Sequence, residues 1–189
     1  RLSQYTDALS CYNQALDLAE QVLEPRLSCQ ANIGMGTAYC ALADLDKART
    51  FLRKAVYQAE NLGLELESAV ALMNLGILDM RDGRYKDASD HLTNAVTNLQ
   101  RMGANRDLLR GYLHLALLCH RTRRWVKLRS YLEFLGRIAS ELDLKEQLLL
   151  EAREAPKIIE YAASKRICGL LFQEIRSKLQ GRPQPVTVE

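Results

Sequence analysis

The sequence predicts an all-α protein made of stacked antiparallel helix pairs. Three observations predict it. A pattern of small residues, a break and an aromatic or apolar residue returns every forty residues: "GMGTAYCALADLDKA" at 34–48, "NLGILDMRDGRYKDA" at 74–88 and "HLALLCHRTRRWVKL" at 114–128. Around each break, apolar residues recur at helical spacing, as in Val70, Met73, Leu75, Ile77 and Met80. Glycine (10) and proline (4) are few in the 189 residues, and Ala and Leu are abundant, a composition that favours helix.

The elements follow in order. Residues 1–27 carry only half of the pattern, in Tyr5, Ala8, Tyr12 and Ala15, and read as the second helix of a partial unit. Three full units are then expected at about 28–67, 68–107 and 108–147. In each, a first helix runs to a short break: Ala43-Asp44, Asp82-Gly83 or Thr122-Arg123. The second helix follows, with columns Leu45/Tyr85/Trp125, Ala48/Ala88/Leu128, Leu52/Leu92/Leu132 and Ala55/Ala95/Leu135. Gly36 and Gly76, with Ala116 in the same column, lie inside the first helices. A helical glycine costs about 1 kcal/mol relative to alanine, which makes sense where the paired helix must come close. A single hairpin of this kind cannot bury its apolar face; stacked copies can.

After residue 145 the rhythm is expected to fail, because Pro156 stands where the glycine column would continue. One helix to about Ala155 and a longer one from Pro156 to Leu179 are expected, with Pro in the first turn of the second. These would cap the stack over 146–180, and residues 181–189 would form a frayed tail.

These residues resemble the tetratricopeptide repeat. Met35-Gly36, Tyr39, Ala48, Leu52 and Ala55 match its pattern; Leu75-Gly76, Ala88, Leu92 and Ala95 match again, with Asp79 in place of the Tyr. Leu115-Ala116, Leu128, Leu132 and Leu135 are a degenerate third match. The usual unit has 34 residues. The longer unit here is similar to the forty-residue subclass of kinesin light chains and spindle-orientation adaptors. The resemblance implies a right-handed α-solenoid and a non-enzymatic scaffold or adaptor. It would bind a peptide or helix in a groove lined by the first helices.

Carrying the register over implies groove candidates Gln30 and Thr37, then Asn74, Ile77 and Arg81, then Arg110, His114, Leu117 and Arg121. An amide at Asn74 offers donor and acceptor to a partner backbone; the alternative is a bond to a neighbouring helix. Arginines 81, 110 and 121 would grip an acidic peptide, or form a solvated surface. Ile33/Met73 and Thr37/Ile77 occupy the columns where a clamp for chaperone C-termini needs Lys and Asn, so that mode is not expected.

Composition narrows the classes further. Residues 1–100 carry 9 Lys/Arg and 13 Asp/Glu, whereas 101–189 carry 17 and 10, so the charge is polarised. The stretch "HRTRRWVKLR" (120–129) fits first a solvated helix face, with Trp125 packed in the column of Leu45 and Tyr85, second an acidic protein surface and third nucleic acid. The five cysteines are odd in number and widely spaced, as expected of thiols in a reducing, cytoplasmic setting. No metal spacing, P-loop or nucleophile motif occurs, so neither enzyme activity nor a cofactor is expected. Acid pairs Glu65/Glu67 and Asp79/Asp82 sit near helix ends, where a solvated role is expected. No apolar run reaches the ~18 residues of a membrane span. The partner would be a protein or peptide, of acidic character. A regulatory or sensor module of a larger signalling or nucleic-acid-binding protein is the rival reading. A homodimer follows if Arg1 lies near the true start.

Overall fold

One kind of turn, repeated every twenty residues, sets the architecture. Leu23, Ala43, Gly63, Gly83, Gly103, Arg123 and Asp143 all take positive φ, between 52° and 77°. In each case the next residue's N–H donates to the carbonyl five residues back, as Asp44 does to Tyr39 at 3.0 Å and Arg84 to Asp79 at 2.8 Å. This left-handed cap satisfies carbonyls that the helix end leaves open. The computed structural model describes residues 2–181, and among them ten α-helices and no strand. The first seven are α1 Leu2–Gln21, α2 Pro25–Ala41, α3 Leu45–Asn61, α4 Glu65–Arg81, α5 Tyr85–Met102, α6 Asn105–Arg121 and α7 Trp125–Glu141. First helices thus start at 25, 65 and 105, and second helices at 45, 85 and 125.

Only three of the seven turn positions hold glycine, so the others carry strain. A left-handed non-glycine residue costs about 1–2 kcal/mol, partly offset because glycine loosens the unfolded chain. Ala43→Gly is therefore expected to stabilise the protein by about 0.5 kcal/mol, read as a rise of roughly 1–2 °C in a thermal melt.

The chain divides into two compact units, 1–104 and 105–189. In unit 1, each helix packs on the next and α2 also packs beside α4. Pro25 opens α2, and the Glu24 side chain accepts the Arg26 N–H at 3.3 Å. Asp44 caps α3 by accepting the Lys47 N–H at 3.2 Å. The columns land where they should: Ala48, Ala88, Leu52, Leu92, Ala55 and Ala95 are all fully buried. A Cβ on Gly36 would stand 2.5 Å from Leu52 Cγ, and one on Gly76 would stand 2.7 Å from Leu92 Cγ. The missing side chains are what let α2 meet α3 and α4 meet α5. Cys29 lies in the core between Ala55, Ala59 and Ala71, and burial, helped by the Glu67 charge, pushes its thiol up to about 11.

In unit 2, Leu128, Leu132 and Leu135 on α7 are also fully buried. Beyond them the forty-residue register persists further than expected. A helix starts at Lys145, forty after Asn105, giving α8 Lys145–Ala152, α9 Pro156–Ser164 and α10 Leu171–Gln180. Pro156 splits a would-be first helix into α8 and α9, because it has no N–H to donate and clashes with the preceding turn. The single helix expected over 156–179 is itself broken: Arg166, Cys168 and Gly169 take positive φ between α9 and α10. Phe172 and Ile175 then fall in the Leu132 and Leu135 columns and are 0% and 2% exposed. Cys168 fills the space over Gly136, whose Cβ would collide with its sulfur. The tail expected over 181–189 lies outside the described residues from 182 on.

Candidate functional site

On unit 1, the starts of α2 and α4 lie side by side and hold a carboxylate between them. Glu67 is 5% exposed. It accepts from Arg26 Nε at 2.6 Å and from Gln30 Nε2 at 3.1 Å. Burial alone would raise its carboxyl; the bonds from Arg26, its own backbone and Gln30, with the Arg26 charge, outweigh that and hold it below its ordinary range. Beside this cluster an open depression of about 180 Å³ is lined by Gln30, Ile33, Leu66, Glu67 and Val70. Three apolar side chains and two polar ones line it together, a combination that can seat a side chain and orient its backbone. A wider depression of about 560 Å³ lies at the α1–α2 turn, lined by Ala19, Leu23, Pro25 and the acids Glu20 and Glu24 among others.

The remaining candidates of unit 1 take distinct places. Thr37 is exposed and donates its hydroxyl to the Ile33 carbonyl of its own helix at 2.9 Å. Asn74 and Ile77 are each 6% exposed, and the Asn74 amide donates to the Val70 carbonyl one turn back at 2.9 Å. Both present little surface to a partner in this state. Arg81 is exposed, and its Nη1 donates to the Cys40 carbonyl at 3.0 Å, capping the negative end of α2.

The solvated role expected for Glu67 and Asp79 does not hold. Asp79 is 1% exposed and gathers Arg49 Nη1 at 2.6 Å, Arg84 Nη2 at 2.8 Å and His91 Nδ1 at 2.7 Å. Three helices and one turn are thereby tied to one carboxylate. The physical reason is that Asp79 occupies a packing column, next to Tyr39 and Cys119 in the repeat, and a charge buried there must be paired. The two outer acids remain at the surface: Glu65 is exposed, and Asp82 pairs with Arg49 at 2.9 Å.

On unit 2, the candidates of α6 spread over burial classes. Arg110 is half-buried, with its Nε 3.8 Å from Glu151 of α8. Burial raises the Glu151 carboxyl above its usual range, against the pull of Arg110 and a hydrogen bond from Gln147. His114 is 3% exposed, with Nε2 3.9 Å from Glu154. Leu117 is half-buried and Arg121 exposed. As site residues, sequence reasoning missed Arg26, Leu66, Glu67 and Val70, and placed Ile33 in a groove column only to exclude the chaperone clamp. Their signal was available: Arg26 and Leu66 share a column, so the starts of α2 and α4 had to be neighbours. Among the described residues no three His, Cys, Asp or Glu converge on a metal position, and no helix is long and apolar enough to cross a membrane.

Comparison with known proteins bears on the fold and the family. No curated protein matches the chain. Among solved structures, BtubC (BKLC) from P. vanneervenii is 20% identical, with a TM-score of 0.70 over 98% of this chain and 79% of that one. A Rap protein in complex with Competence and Sporulation Factor is 16% identical, with a TM-score of 0.72 over 95% of this chain; the match spans 55% of the Rap chain. The TPR-like repeats of a kinesin light chain from Podosopora anserina are 14% identical, with a TM-score of 0.61 over 95% and 90% of the two chains. At such identities these likenesses speak for the fold, all-α with stacked helix pairs. The tetratricopeptide repeat profile matches residues 1–61 and again 27–101, more than half of the sequence. With the forty-residue period of its helix starts, this chain belongs to the tetratricopeptide repeat family.

Proposed function

We propose that the chain is a non-enzymatic interaction module that holds a peptide or helix of a partner protein against its first helices. The observation that carries this reading is the depression between α2 and α4, where Ile33, Leu66 and Val70 stand beside Gln30 and Glu67. An apolar side chain of the partner enters it, and the Arg26–Glu67–Gln30 cluster fixes the neighbouring backbone. Within unit 1, Thr37 and Arg81 offer further exposed surface on the first helices, and Asn74 and Ile77 are buried there; within unit 2, Leu117 and Arg121 offer surface of their own, Arg110 a half-buried cation, and His114 is buried. A Rap structure, similar in fold, is in complex with a factor, which fits a binding role. Because the match spans 55% of that Rap chain, a regulatory module within a longer protein is the second reading.

A peptide array tests it. Peptides retained by the wild type should be lost with Val70→Glu, which places a charge in the depression, and weakened by Thr37→Glu on the exposed face of the same unit, with thermal melts unchanged. Retention of the same peptides by both variants contradicts the reading, as does an array on which no peptide is retained.

A further inference from the structure

The stretch 120–129 and the end of α9 meet on one edge of unit 2. Trp125 is the chain's only tryptophan, and it is 47% exposed although it opens a helix. Its ring stacks on Tyr161 with centroids 5.8 Å apart and 23° between planes. His120 stands edge-on to both, at 5.7 Å and 6.0 Å. Three rings from α6, α7 and α9 therefore hold one another, and one of them still offers nearly half its surface to solvent. A rigid aromatic of this kind loses little conformational freedom when a partner covers it. Val126 beside it is 84% exposed.

Cations flank two of the rings along the chain. Arg123 and Arg124 precede Trp125, and Lys127 follows in the first turn of α7. Lys165 comes one helical turn after Tyr161, its N–H donating to the Tyr161 carbonyl at 3.0 Å, and Arg166 is next. All five are exposed, and among the described residues none of them forms an ion pair. Helix stability does not ask for the three at α7, whereas Lys165 and Arg166 suit the negative end of α9. The start of α7 is its positive end, where Arg124 holds the capping position without a side-chain bond and no acid occupies the first turn. Unit 2 as a whole carries 16 basic and 10 acidic residues, whereas unit 1 carries 10 and 13.

We propose that this edge docks an acidic protein segment that carries an apolar side chain. The apolar group lies against Trp125 and Val126. Carboxylates on either side meet Arg123, Arg124 and Lys127 from one helix turn and Lys165 and Arg166 from the other. The sign of the charge selects an acidic occupant. The ring geometry favours protein over single-stranded nucleic acid: of the three rings only Trp125 is exposed, a single stacking platform, whereas a single strand stacks successive bases on several.

Because Trp125 is the sole tryptophan, its fluorescence reports occupancy directly. The probes are a synthetic peptide alternating Glu with Leu and Phe, polyglutamate of the same length, oligothymidine and phosphatidylserine vesicles. The mixed peptide should shift the emission and bind more tightly than the other three. Arg123→Glu with Arg124→Asp, and separately Lys165→Glu with Arg166→Glu, should each weaken it roughly tenfold. Arg53→Glu with Lys54→Glu, the same charge change on unit 1, should leave it unaltered. The first pair improves the start of α7, so its melting temperature should not fall, and lost binding cannot be lost folding. The proposal is overturned by an unmoved emission with the mixed peptide, by equal affinity in the reversed variants, or by an equal loss in the unit 1 control. Tighter binding of oligothymidine or vesicles than of the peptide overturns it as well.

Discussion

Asp79→Ala is expected to lower the unfolding free energy by about 3 kcal/mol, seen as a lower urea midpoint with an unchanged slope. The carboxylate is 1% exposed and is the shared acceptor of Arg49, Arg84 and His91. Removing it leaves three donors facing an apolar void. Arg49 feels this most, since its side chain is 15% exposed, whereas Arg84 at 37% and His91 at 31% can turn toward water. That escape keeps the loss nearer the lower end of the 3–5 kcal/mol typical of a broken buried pair. Asp82→Ala is the control. Asp82 touches two of the same network's arginines but is 39% exposed, so its loss should cost under about 1 kcal/mol. Equal effects at the two positions would show that burial, and with it the network, counts for little.

The second large effect is at Gly76. Helix propensity alone makes Gly76→Ala stabilising by about 1 kcal/mol. The geometry reverses the sign. A Cβ there would lie 2.7 Å from Leu92 Cγ and 3.1 Å from the Leu92 backbone nitrogen, and Leu92 is fully buried with no room to withdraw. Gly76→Ala is expected to destabilise by about 1 kcal/mol and Gly76→Val by about 3 kcal/mol, as overpacking forces α4 and α5 apart. Thermal melts of the two variants decide it, and a higher melting temperature for Gly76→Ala would remove the close-approach account of the glycine column.

These two residues also mark what could be read from the sequence and what could not. Gly76, Ala88 and Leu92 repeat at forty with Gly36, Ala48 and Leu52, and a repeated residue type points to a repeated environment, so helix pairing and core were legible. The twenty-residue spacing of the turns was less so, because Leu23, Ala43, Arg123 and Asp143 hide a left-handed conformation that glycine would have announced. Asp79 was misjudged because its partners Arg49 and His91 lie thirty and twelve residues away, on other helices. Nothing local distinguishes a buried acid from a solvated one near a helix end. The break between α9 and α10 was hidden for a similar reason: Gly169 is its only local signal, while the packing of Cys168 over Gly136 is a tertiary demand. At the candidate site, the repeat register picked out Gln30 and the Val70 column but not Glu67, whose burial depends on Arg26 reaching across from the neighbouring helix.

Excising one period tests the account most directly. Deleting residues 45–84 joins Asp44 to Tyr85, so that α5 follows α2 and Ala88, Leu92 and Ala95 take the places of Ala48, Leu52 and Ala55. The whole Asp79 network leaves with the excised residues, apart from His91. Circular dichroism of the shortened chain should show the same helicity per residue and a single cooperative melt, whereas deleting 45–78, thirty-four residues, should abolish cooperativity by setting the columns out of register. If both deletions melt alike, residues forty apart are not interchangeable, and the repeat assignment on which the binding surfaces rest is wrong.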